Sequence, residues 1–122
     1  MIPTRGLTHI ALAARDPARS AKFYQQVFGA VELFRHADFV QIQTPGSRDA
    51  IVFQKADRPA PPPGNMLHFG FLLLDPCDIE RAAFEVEAAG GTVLRQGEFC
   101  PGEPYLFFLD LDGYEVEVAY EK

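Results

Sequence analysis

The sequence predicts an α+β fold made of two copies of one strand–helix–strand–strand–strand unit. Its clearest support is a pair of histidines: His9 and His68 each stand seven residues ahead of an Asp-Pro step, Asp16-Pro17 and Asp75-Pro76, that opens an amphipathic stretch. Both stretches end at glycine, Gly29 in the first half and Gly90-Gly91 in the second, and three strand-like runs follow in each half. The same order occurring twice marks an internal repeat. The histidines are 59 residues apart and the helix-ending glycines 61, so a slightly longer second helix is expected.

In the first copy, Leu7 to Ala14 alternates as a half-buried strand does. Asp16 suits the N-cap and Pro17 the first helical position, because proline's fixed φ and missing amide cost nothing there. The helix runs from about Pro17 to Phe28, with Ala21, Tyr24, Val27 and Phe28 at helical spacing, and Gly29 supplies the left-handed residue that ends it. Strands are expected at Val31 to Arg35, Asp38 to Thr44 and Ala50 to Gln54, with Pro45-Gly46-Ser47 turning between the last two.

The second copy opens with Met66 to Leu74 and continues into a helix whose apolar face is Ile79, Ala82, Ala83, Val86 and Ala89. Strands follow near Thr92 to Arg95, Tyr105 to Leu109 and Tyr114 to Tyr120, with Asp110-Leu111-Asp112-Gly113 as the last hairpin turn. The modules thus span 7–55 and 66–121 of a single domain over 1–122, joined by a proline-rich linker at 56–65. Arg58-Pro59-Ala60-Pro61-Pro62-Pro63-Gly64 should be extended and stiff, a spacer first and a proline-rich partner motif second.

Composition removes several function classes. With 48% hydrophobic residues in 122, the chain can bury a core, which excludes a disordered protein. Seventeen acidic residues against 11 basic ones give a formal charge of −6 without a basic cluster, so nucleic acid is not an expected partner. The longest apolar run, Phe69 to Leu74, is far below the roughly 20 residues of a membrane span, and Arg15 and Asp16 interrupt any signal-like stretch. A cytoplasmic location is the expectation. Cys77 and Cys100 lack CxxC spacing, which favours free thiols in a reducing compartment over a disulfide, although sequence leaves their pairing open.

Alternation places Leu7, His9 and Ala11 on one face of the first strand, and Met66, His68 and Gly70 on the matching face of its counterpart. A small residue follows each histidine on that face, leaving room for a ligand, while Ile10, Leu12, Phe69, Phe71 and Leu73 are bulky enough to pack on the helices. A lone strand histidine is most often a core residue. Two at equivalent repeat positions instead suggest a shared divalent metal.

The segments Leu7-Thr8-His9-Ile10-Ala11-Leu12, Phe23-Tyr24 with Phe28-Gly29, Leu67-His68-Phe69 and Phe107 through Glu117 resemble the vicinal oxygen chelate superfamily, which includes glyoxalase I, extradiol dioxygenases, fosfomycin-resistance transferases and bleomycin-resistance proteins. The resemblance covers nearly the whole chain. Its most specific part is Asp110-Leu111-Asp112-Gly113 followed by a strand in which Glu117 stands at the family's metal-binding glutamate. It implies the glyoxalase/dioxygenase fold, with two βαβββ modules curving around a cup, helices outside, and a homodimer. It also implies His9, His68 and Glu117 as metal ligands, with Glu117 catalytic; two imidazoles and a carboxylate suit Fe2+, Mn2+, Ni2+, Co2+ or Zn2+.

The implied activity is metal-dependent action on a small oxygenated substrate chelated through adjacent oxygens. The alternatives are a non-catalytic drug-binding protein of the bleomycin-resistance type, towards which 11 phenylalanines and the negative charge lean, and a metal-dependent thiol transferase or lyase. Ala11 stands where fosfomycin transferases carry threonine, so that particular activity is not implied. Ala11, Phe39, Gln41, Phe53, Gly70, Tyr105 and Phe107 are the candidate substrate-lining residues. Phe53 enters because aligning Ala50-Ile51-Val52-Phe53 with Tyr114-Glu115-Val116-Glu117 puts it at the corner equivalent to Glu117; Gln54 would need a bulge to face inward. A second opposed base is then absent, which favours Lewis-acid addition or dioxygen chemistry over a two-base proton shuttle. Glu115 is expected near solvent, His36 and Tyr24 in structural roles, and Gly97 to Pro104 as a flap at the rim, where Cys100 lacks a basic neighbour to activate it.

Overall fold

The computed structural model describes residues 1–57 and 66–122; most of the proline-rich linker lies outside the described residues. The chain divides into two units, Met1–Pro59 and Ala60–Lys122, each carrying one copy of the repeat. The first contains β1 (Ile10–Ala14), α1 (Pro17–Phe28), β2 (Val31–His36), β3 (Phe39–Gln43) and β4 (Ile51–Lys55). The second contains β5 (Phe69–Leu72), a 3-10 turn (Pro76–Asp78), α2 (Ile79–Ala88), β6 (Thr92–Glu98), β7 (Pro104–Leu109) and β8 (Glu115–Ala119). Each unit is a four-stranded mixed sheet with one helix, in the orders β1-β4-β3-β2 and β5-β8-β7-β6. Both modules of the predicted fold are therefore present. Among the described residues no helix is long and apolar enough to cross a membrane.

Local chemistry sets the helix ends as expected. Asp16 accepts from the Arg19 amide at 3.2 Å, Pro17 opens α1, and Gly29 closes it in the left-handed region at φ 68, donating to Gln25 O at 3.0 Å. The second helix differs from the first at its start. Asp75 accepts from the Cys77 amide at 2.8 Å and holds a 3-10 turn before the α-helix begins at Ile79, which takes up the added length of this copy.

Register departs from simple alternation in both sheets at one equivalent place. In the first unit Glu32 pairs with Ile42 and Phe34 with Gln41, so Leu33 is an extra, bulged residue. Val93 pairs with Phe108 and Arg95 with Phe107 in the second, making Leu94 the bulge. Each bulge reverses the facing of the strand beyond it.

α1 packs on β3 and β4, and the core between them holds Leu12, Ala21, Phe23, Tyr24, Val40, Ile42 and Ile51 with Phe53 at its centre. The Tyr24 and Phe53 rings lie 5.2 Å apart between centroids. α2 packs on β6, β7 and β8, where Val86 meets a layer of Leu106, Phe108, Val116 and Val118. Both sheets thus bury one face under a helix and leave the other open.

This overturns the placement of Phe53. Parallel pairing matches Ile10 with Ile51, Ala11 with Val52 and Leu12 with Phe53, so Phe53 shares the helix-facing side with Leu12 and is fully buried. The residue beside Ala11 on the open face is Val52, and Gln54, beside Ala13, reaches that face without a bulge. Phe53→Ala is expected to cost about 3–5 kcal/mol as a core cavity, against about 1 kcal/mol for half-buried Val52→Ala, measured by urea unfolding. Equal costs would contradict the facing described.

Candidate functional site

The open face of the second unit brings together two of the three residues expected to hold a metal. Parallel pairing of β5 with β8 sets Gly70 beside Glu117, and antiparallel pairing sets Phe107 on the far side of Glu117 and Arg95 beyond it. Gly70, Glu117, Phe107 and Arg95 therefore form one row across the sheet. His68, one residue before β5, places Nε2 3.7 Å from Glu117 Oε2, and both side chains are partly exposed. That separation exceeds a hydrogen bond. It is shorter than twice the roughly 2.0–2.2 Å from a metal to a nitrogen or oxygen ligand, so both donors can reach one ion.

Neighbours fix the pair. A Cβ at position 70 would come within 3.2 Å of Glu117 Cβ and 3.3 Å of its carbonyl oxygen, so Gly70 lets β5 and β8 approach closely beside Glu117. The His68 ring meets Phe107 edge-to-face at 5.1 Å between centroids. Tyr105 and Phe107 pack edge-to-face at 5.6 Å, and Phe99 stacks on Tyr105 at 4.4 Å, giving an aromatic row beside the pair. Tyr105 lies over Gly97, where a Cβ would clash with its hydroxyl oxygen at 2.6 Å.

The first unit presents the equivalent row with different chemistry. Ala11, Val52, Gln41 and Phe34 stand where the second unit has Gly70, Glu117, Phe107 and Arg95. His9, one residue before β1, is exposed, and its Nδ1 lies 2.8 Å from Thr8 Oγ1. Phe39 shares the open face with Gln41 and stacks with Phe34 and His36, each at 5.5 Å. Among the described residues no three His, Cys, Asp or Glu side chains group closely enough to hold an ion. The predicted triad is thus seen as the His68 and Glu117 pair in one unit and His9 in the other.

A family model described as the Glyoxalase/Bleomycin resistance protein/Dioxygenase superfamily matches residues 6–118. The chain belongs to this superfamily. A fosfomycin resistance protein, FosX, from Mesorhizobium loti has a similar structure, with a TM-score of 0.80, 20% identity, and coverage of 98% of this chain and 95% of that one. FosX from Listeria monocytogenes matches at TM-score 0.79 and 20% identity over 100% and 96% of the two chains. Lactoylglutathione lyase from Agrobacterium tumefaciens matches at TM-score 0.73 and 22% identity over 98% and 96%. No curated protein sequence matches this chain.

Within this superfamily scaffold, sequence reasoning missed Arg95. Without the bulge at Leu94, alternation from Val93 would turn Arg95 to the helix side; the bulge brings it to the open face. Its guanidinium lies 4.0 Å over the Phe107 ring and faces both oxygens of Glu115 at 3.4 Å. Glu115, expected at solvent, is half-buried and paired. The bulge recurs at Leu33 in the other copy, but both are visible only in the strand pairing.

Both cysteines are free and exposed. A hydrogen bond to the Glu103 carboxylate raises the Cys100 thiol above its ordinary range, and the same bond holds Glu103 low. Asp75 raises Cys77 likewise. Neither thiol is poised as a nucleophile at neutral pH. Glu103→Gln should lower the Cys100 pKa and speed its alkylation by iodoacetamide at pH 8 several-fold, read by peptide mass spectrometry with Cys77 as the internal reference. An unchanged rate would show that Glu103 does not control this thiol.

Proposed function

We propose that this protein is a metal-dependent enzyme of the glyoxalase/dioxygenase type, acting as a homodimer on a small oxygenated molecule, with His9, His68 and Glu117 as ligands of a divalent ion. The observation that carries this reading is the His68 and Glu117 pair, 3.7 Å apart on an open sheet face beside Gly70. His9 enters the proposal as the exposed imidazole at the position equivalent to His68 in the repeat. The donor set of two neutral nitrogens and a carboxylate fits Fe2+, Mn2+, Co2+, Ni2+ or Zn2+. Such an ion would supply Lewis acidity towards two neighbouring oxygens of the substrate.

The chain's own residues supply position and dryness. Phe107 packs edge-to-face with the His68 ring and restricts how that ring can turn. Tyr105, Phe107 and Phe99 form an apolar wall that would exclude water from the reacting oxygens.

Glu117 is the single carboxylate of its kind in the repeat, because the equivalent position of the first unit holds Val52. A proton relay between two opposed bases needs a titratable group at that fourth corner. Valine cannot serve, so the arrangement favours one-base chemistry at a polarised substrate over isomerisation between two faces of a carbon.

Calorimetric titration of chelator-treated protein with Mn2+, Fe2+, Co2+, Ni2+ and Zn2+ tests the ligand set. Wild type should bind at least one ion and gain thermal stability from it, whereas His9→Ala, His68→Ala and Glu117→Ala should each weaken binding by about 100-fold or more. A wild-type protein that binds none of the five would be a binding member of the superfamily, and the enzyme reading would fall.

A further inference from the structure

Resting on the reading that the open face of the second unit receives the substrate, we infer that Arg95 is its specificity-determining residue and recognises a carboxylate group on an otherwise apolar substrate. The polar and aromatic side chains on this face are His68, Glu115, Glu117, Tyr105, Phe107 and Arg95. Arg95 is the one permanent cation among them. The bulge at Leu94 exists at a cost in regular pairing, and its consequence is to aim this guanidinium at the face that carries His68 and Glu117.

Its environment leaves it able to take a ligand. The guanidinium is stacked 4.0 Å over Phe107, the ring whose edge His68 contacts, so one aromatic side chain separates the cation from the proposed ligand pair. The contacts to Glu115 are both 3.4 Å, well beyond the roughly 2.7–2.9 Å of a tight charge-assisted bond. They occupy Nη1 and Nη2, while Nε has no acceptor among the described residues and the side chain is 51% exposed. A planar fork held by stacking but loosely paired suits bidentate capture of a carboxylate, with Glu115 as the group it exchanges. Beside it, exposed Phe99 on Tyr105 offers aromatic surface for the rest of such a molecule.

Benzoate and its neutral counterpart benzamide are the probes, titrated into chelator-treated protein and followed by calorimetry or by chemical-shift changes. Because no metal is present, the outcome is independent of whether the ion-binding reading survives. Wild type should prefer benzoate to benzamide. Arg95→Met, which keeps the stem over Phe107, should weaken benzoate at least tenfold and leave benzamide unchanged. Arg95→Lys should lose several-fold, since it keeps charge without the fork, and Glu115→Gln should bind benzoate several-fold more tightly with Arg95 intact. Circular dichroism checks that each variant folds, and the Glu115→Gln arm tests the idea should Arg95→Met not fold. Equal affinity of wild type for the two probes, no benzoate binding, or wild-type benzoate affinity in Arg95→Met would overturn the assignment.

Discussion

Parallel pairing between the first and last strands of each module is the constraint from which the rest of this structure follows. β1 lies beside β4, and β5 beside β8, although each pair is separated in sequence by a helix and two further strands. A parallel pair requires such a crossover, and here the crossover supplies the helix that covers one face of the sheet. The other face stays open. On it, the residue preceding the first strand and the middle residue of the last strand come close together, which is how His68 meets Glu117.

The repeat gives the two open faces a common frame and divergent chemistry. Ala11 and Gly70 keep both frames small next to the histidine, whereas the adjoining position is Val52 in one unit and Glu117 in the other. Polar but uncharged Gln41 occupies the position equivalent to aromatic Phe107, and Phe34 the position equivalent to Arg95. The charged members of this row, Glu117 and Arg95, both belong to the second unit. Duplication followed by one-sided substitution would produce this pattern, since a buried helix-facing layer tolerates little change while an open face is free to differ.

Electrostatics on the second face are arranged around modest, exchangeable contacts. His68 and Glu117 sit beyond hydrogen-bond distance, and Arg95 stands off Glu115 by more than a tight ion pair would. Exposed pairs of this sort add little to stability. The helix-facing layers, with Tyr24 against Phe53 and Val86 against the β7 and β8 apolar rows, carry the folding energy.

Much of this was legible in the chain before any coordinates. Asp16-Pro17, Gly29 and Asp75-Pro76 act through backbone chemistry within a few residues, so helix starts and the first helix's end could be placed from sequence alone, and the duplicated histidines exposed the repeat. Facing was another matter. Whether Val52 or Phe53 looks out depends on which residue of β1 each one pairs with, a contact across some forty residues of chain, and the facing of Arg95 depends on a single bulged residue. Local sequence therefore determined the elements and their order, while tertiary register alone decided which side chains share the open face, because a one-residue slip in a β-strand exchanges its two sides.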